Sequence, residues 1–110
     1  MIDFIRRWRQ QRRAAVLRAL VTFTPSTSFE IMQIVSTDLK NTFFVFSGGV
    51  QRTLLRFEEE GLVTSFTVPP PPAVGLGTRA TRYYELTERG RSARDALLLA
   101  ARVANQRRPR

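Results

Sequence analysis

Three features of the sequence predict a mostly α, α+β domain of winged helix-turn-helix type. A third helical pattern opens on Ser47-Gly48-Gly49 after two earlier ones, an alternating stretch follows it at once, and a second β-prone stretch returns into a last helix. The expected order is helix, helix, helix, strand, loop, strand, helix: three helices, a two-stranded wing and a C-terminal helix. A chain of 110 residues with 43% hydrophobic content fits one domain with one modest core. That domain is expected over residues 1–106, with its terminal helices serving dimerisation and residues 107–110 forming a basic, flexible tail.

The first helix is expected over 2–23. Ile5, Trp8, Ala15, Ala19 and Phe23 fall near one face, Val16, Leu17 and Leu20 widen it, and Arg6, Arg9 and Arg13 occupy the opposite surface of its first half. Pro25 stops it, because proline disfavours the α conformation in the residue before it. A second helix starts near Thr27, which has capping-box spacing with Glu30, and ends near Lys40-Asn41. Ile31, Met32, Val35 and Leu39 form its apolar face, and Thr42 to Phe46 is a connector or a small strand. Ser47 is the candidate N-cap of the third helix, whose Val50, Leu54 and Phe57 should face the core. Gly61 suits the left-handed residue that ends it.

Residues 62–68 alternate, which predicts a strand with one buried face. The loop over 69–80 holds a four-proline run, Pro69 to Pro72, and then Gly75 and Gly77 for a turn. Residues 81–87 return as a strand with Tyr83 and Tyr84 on opposite faces, and Thr87 caps the last helix over 88–106. The sequence has no internal repeat.

The formal net charge is +9, an excess that favours polyanions. Lys40 is the one lysine; the other basic residues are arginines, which contact phosphate and guanine bidentately. A GC-rich coding sequence gives the same excess, so the positions of the arginines carry more than their number. The chain has neither cysteine nor histidine. Glu58, Glu59 and Glu60 are consecutive on a helix and diverge, so they do not converge on a metal or a proton. An enzyme, a cofactor and a metal site are therefore not expected. No apolar run of about 18 residues predicts a membrane span. Arginines interrupt the N-terminal stretch where a signal peptide needs an apolar core. A cytoplasmic, nucleoid-associated protein is expected.

The third helix is the candidate DNA reader, since the major groove admits one α-helix whose first turns reach base edges. Gly48 and Gly49 allow close backbone approach, the helix start at Ser47 offers free amides to a phosphate, Gln51 suits adenine, Arg52 suits guanine or phosphate, and Arg56, one turn on from Arg52, is a further candidate DNA contact. In the wing, Arg79 and Arg82 are placed for the phosphate backbone. The competing reading is an amphipathic helix with a solvated polar face and a plain hairpin loop. Ile5 and Trp8 in the first helix, and Ala93, Leu97, Ala100, Ala101 and Ala104 in the last, leave apolar surface that one domain does not bury, which predicts dimerisation.

Two segments carry a family resemblance. Residues 47–63, ending Glu59-Glu60-Gly61-Leu62-Val63, and residues 82–90, Arg-Tyr-Tyr-Glu-Leu-Thr-Glu-Arg-Gly, resemble the PadR family of bacterial transcriptional regulators. The likeness covers about residues 14–92; Tyr83-Tyr84 with Leu86, Thr87 and Gly90 is its more specific half, whereas Glu-Glu-Gly-Leu-Val is shared with MarR-like and ArsR-like proteins. Gly49-Val50-Gln51-Arg52 stands where the family usually has Thr-Leu-Tyr-Pro, and one helix stands where most members have a longer C-terminal dimerisation region. The resemblance implies a homodimer on a palindromic operator, usually repressing, and a small-molecule effector whose pocket Trp8 could line instead of packing at the dimer contact.

Other classes compete. A basic winged helix also grips A-form RNA by shape, which would place stacking aromatics on an exposed sheet face. Tyr83 and Phe66 are the candidates for that, although both read better as core. A protein-interaction adaptor on the same scaffold, and membrane-surface binding by residues 1–13, are the remaining alternatives.

Overall fold

The computed structural model describes residues 2–21, 24–39, 48–70 and 80–106, with the backbone alone for residues 2–4. Expectations for Phe23, for the connector at 42–46, for DNA contact by Ser47, for most of the loop with Arg79, and for the tail at 107–110 lie outside these residues. The described elements are α1 (Ile2–Ala19), β1 (Ser26–Thr27), α2 (Ser28–Leu39), α3 (Gly49–Glu59), β2 (Val63–Val68), β3 (Thr81–Leu86) and α4 (Glu88–Gln106). The winged-helix order is present, with one addition. Ser26–Thr27 pairs antiparallel with Tyr83–Tyr84, so the sheet has three strands in the order β1-β3-β2 instead of the expected two.

Local signals set the element ends. The Thr27 hydroxyl accepts the Glu30 amide at 3.2 Å, while the Glu30 carboxylate accepts the Thr27 amide at 3.1 Å. This reciprocal box satisfies two donors that the first turn of α2 would leave open. The helix itself starts at Ser28, one residue after the box begins. At the end of α3, Gly61 has φ +78°, its amide donates to Glu58 O at 3.1 Å, and the Leu62 amide donates to Phe57 O at 2.8 Å. That pair of bonds is a Schellman motif, which a left-handed glycine permits at least cost. Thr87 accepts the Gly90 amide at 3.0 Å and so caps α4.

One core joins these elements. Ala15, Val16, Leu17, Ala19 and Leu20 of α1 and its end pack with Ile31 and Val35 of α2, Val50, Leu54 and Phe57 of α3, and Val63 and Leu86 of the sheet. The buried sheet face is Val63 and Ser65 beside Leu86 and Tyr84, with Val63 opposite Leu86. The first half of α1 lies outside this core, and Ile5 and Trp8 remain 44% and 38% exposed.

Phe66 corrects the reading of both wing aromatics as core. It is 43% exposed on the edge strand β2, and its ring stacks on half-buried Tyr83 with centroids 5.7 Å apart. The reason is parity: core contact falls to the odd residues Val63 and Ser65, so Phe66 turns to the outer face.

Candidate nucleic-acid interface

The site is built on α3. Val50, Leu54 and Phe57 are fully buried, which fixes the rotation of the helix. Gln51, Arg52, Leu55, Arg56 and Glu59 are consequently exposed on the far side. The N-cap is Gly48, at φ +86° and without a side-chain capping bond, in place of the expected Ser47. A left-handed glycine takes the chain into α3 where a capping serine was anticipated. Gly49 is buried and lines the crevice between α1 and α3.

The exposed residues of α3 have different surroundings. The Gln51 amide donates to Met32 Sδ of α2 at 3.2 Å, a weak bond that a base edge can replace. Leu55 is 58% exposed. Arg52 and Arg56 lie on the flank that faces α1, where they line a crevice of about 240 Å³ together with Arg9, Arg12 and Arg13. The Arg12 guanidinium lies 3.8 Å from the centre of the Trp8 ring, and Arg13 lies over Phe57 at 4.9 Å while pairing with Glu60 at 2.8 Å. Burial, and then the charges of Arg9 and Arg52, lower the Arg12 pKa from its ordinary value. Sequence reasoning placed Arg9 and Arg13 on a solvated surface and gave Arg12 no role; the α1–α3 crossing that gathers them is a tertiary fact.

In the wing, Arg82 donates to Ser65 Oγ at 3.1 Å, and Ser65 Oγ donates to the Glu58 carboxylate at 2.7 Å. These two bonds tie β3 through β2 to the last turn of α3, so the hairpin and α3 are held in one frame. Arg82 stays exposed.

The residues expected to dimerise divide into groups. Ala93 and Leu97 pack against the chain's own core and line a groove of about 920 Å³ between α1, α3 and α4. Trp8 does not line that groove, and Arg12 covers its ring. Ala100 and Ala104 sit with Ala96, Leu99 and Val103 on a separate apolar strip of α4, and Ala101 is exposed nearby. Among the described residues, no helix is long and apolar enough to cross a membrane, and no group of acidic side chains could hold a metal ion.

A helix with a polar outward face, preceded by a second helix and braced by a β-hairpin, defines the winged helix-turn-helix class. The family described as transcriptional regulator PadR-like matches residues 16–96. The chain belongs to this PadR-like family of transcriptional regulators. It is also similar in fold to a PadR-like transcription factor from Bacteroides fragilis solved by X-ray crystallography, at 19% identity and a TM-score of 0.62, over 96% of this chain and 92% of the other. None of the curated proteins matches.

Proposed function

We propose that this chain is a sequence-specific duplex DNA-binding repressor that acts as a homodimer on a palindromic operator. One observation carries the DNA reading: burial of Val50, Leu54 and Phe57 turns Gln51, Arg52, Leu55 and Arg56 outward on a helix braced by the wing. These side chains match base edges, with Arg52 suited to guanine, Gln51 to adenine and Leu55 to a thymine methyl group. Arg56, one turn on, is suited to a phosphate. Footprinting on the region upstream of its own gene, at a stated salt concentration, tests this; protection of two half-sites about one helical turn apart is expected. Uniform protection without preferred sites would leave a non-specific binder.

Two finer roles belong to the same reading. Arg79 in the wing loop contacts the DNA backbone, so Arg79→Ala weakens specific and random duplexes alike and lowers the salt slope by about 1. An unchanged slope would remove Arg79 from the interface. The dimer is closed by Ile5 and Trp8 of α1 and by the α4 strip, whose Leu99 is 60% exposed. Unpartnered apolar surface of this kind supports a two-fold interface.

The stack of exposed Phe66 on half-buried Tyr83 favours a second reading, RNA binding by base stacking on the outer sheet face. Competition between duplex DNA and single-stranded RNA separates the two. Displacement of bound duplex DNA only by excess RNA supports the DNA reading.

A further inference from the structure

The crevice between α1 and α3 concentrates positive charge in a way that the helix face alone does not explain. Arg9, Arg12 and Arg13 from one helix and Arg52 and Arg56 from the other line a space of about 240 Å³, and its remaining lining residues are Gly49 and Thr53. Five guanidiniums therefore line one small space, and the pairing of Arg13 with Glu60 at 2.8 Å offsets one of their charges. Positive charge gathered in one concave space attracts an anion. Two of the five are also fixed in place: Arg12 by the Trp8 ring and Arg13 by Phe57 and Glu60. Fixed planar forks suit the tetrahedral oxygens of a phosphate.

We propose that this crevice is a phosphate-binding site for the DNA backbone, which extends the interface from α3 onto the first helix. The inference rests on the DNA-binding reading and adds a contact to it. Arg52 and Arg56 belong both to the exposed side of α3 and to the crevice wall, so a phosphate held there lies beside the groove that α3 enters. Arg9 and Arg12 then bind without reading sequence.

The test measures duplex affinity against salt concentration for the full chain and for an Arg9→Gln/Arg12→Gln double variant. Arg7→Gln is the control, since Arg7 is on the same helix but lines the other groove, between α1 and α4. The double variant is expected to lower the slope of log K against log salt by about 2, on specific and random duplexes alike, while Arg7→Gln leaves it unchanged. Because Arg12 covers Trp8, an Arg9→Gln/Arg56→Gln pair repeats the test with that stack intact. An unchanged slope in both double variants, with wild-type binding intact, overturns the crevice assignment and spares the DNA reading. An equal drop per charge in Arg7→Gln overturns it as well, by showing a net-charge effect. Inorganic phosphate that raises the melting temperature of the wild type but not of the double variants, with unchanged DNA slopes, reassigns the crevice to a free anion and overturns the backbone contact. Absence of duplex binding by the wild type at low salt defeats the DNA reading itself.

Discussion

Gly90 shows how closely one position can be specified. A Cβ built there would overlap the carbonyl oxygen of Leu62, a backbone atom that cannot swing aside. The approach is tight because Thr87 binds the same corner: its hydroxyl donates to Gly61 O at 2.6 Å and its amide donates to Leu62 O at 3.0 Å. The segment from Tyr83 to Gly90 that carries the family likeness is thus a structural joint between α3, the sheet and α4. Gly90→Ala is expected to cost about 1–3 kcal/mol, as overpacking does, read as a lowered midpoint in urea. An unchanged midpoint would mean that α4 shifts freely. Thr87→Val removes the cap and the hydroxyl's bond to Gly61 O, keeps the amide bond to Leu62 O, and is expected to cost about 1–2 kcal/mol in the same assay.

At the scale of elements, the caps were legible in the sequence because their partners are three residues apart. Thr27 with Glu30, Thr87 ahead of Gly90, and Gly61 after a helix each announce an end. Thr27→Ala is expected to destabilise the domain by about 1 kcal/mol and to increase amide exchange in the first turn of α2; uniform protection there would contradict the box. Strand β1 was not legible. Two residues have no periodicity, and their partners, Tyr83 and Tyr84, lie far along the chain. The outer position of Phe66 was hidden for a related reason, since alternation gives two faces without saying which one the helices cover. The rotation of α3 was legible from Val50, Leu54 and Phe57, and with it the exposure of Gln51, Arg52 and Arg56. The gathering of Arg9, Arg12 and Arg13 against that helix depends on a crossing angle, which no local pattern records.

For the whole molecule, the two long helices extend apolar surface past the shared core. Leu98, Leu99 and Val103 on α4 are 39%, 60% and 38% exposed, and Ile5 and Trp8 on α1 are exposed as well. A Leu99→Glu/Val103→Glu variant is expected to sediment as a monomer at micromolar concentration, and to lose affinity for a two-half-site duplex far more than for a single half-site. A wild-type monomer that binds the full palindrome one to one would contradict the dimer.

Base reading by α3 is tested by one comparison. The affinities of wild type and Arg52→Ala are measured on the footprinted duplex, on its single-base variants and on random duplex, all at one salt concentration. If Arg52 reads a base, Arg52→Ala loses about 1–3 kcal/mol on the footprinted duplex, loses less on random DNA, and stops discriminating at one base position. Equal losses on every duplex, with discrimination intact at all positions, would make Arg52 a backbone contact and contradict base reading by that residue.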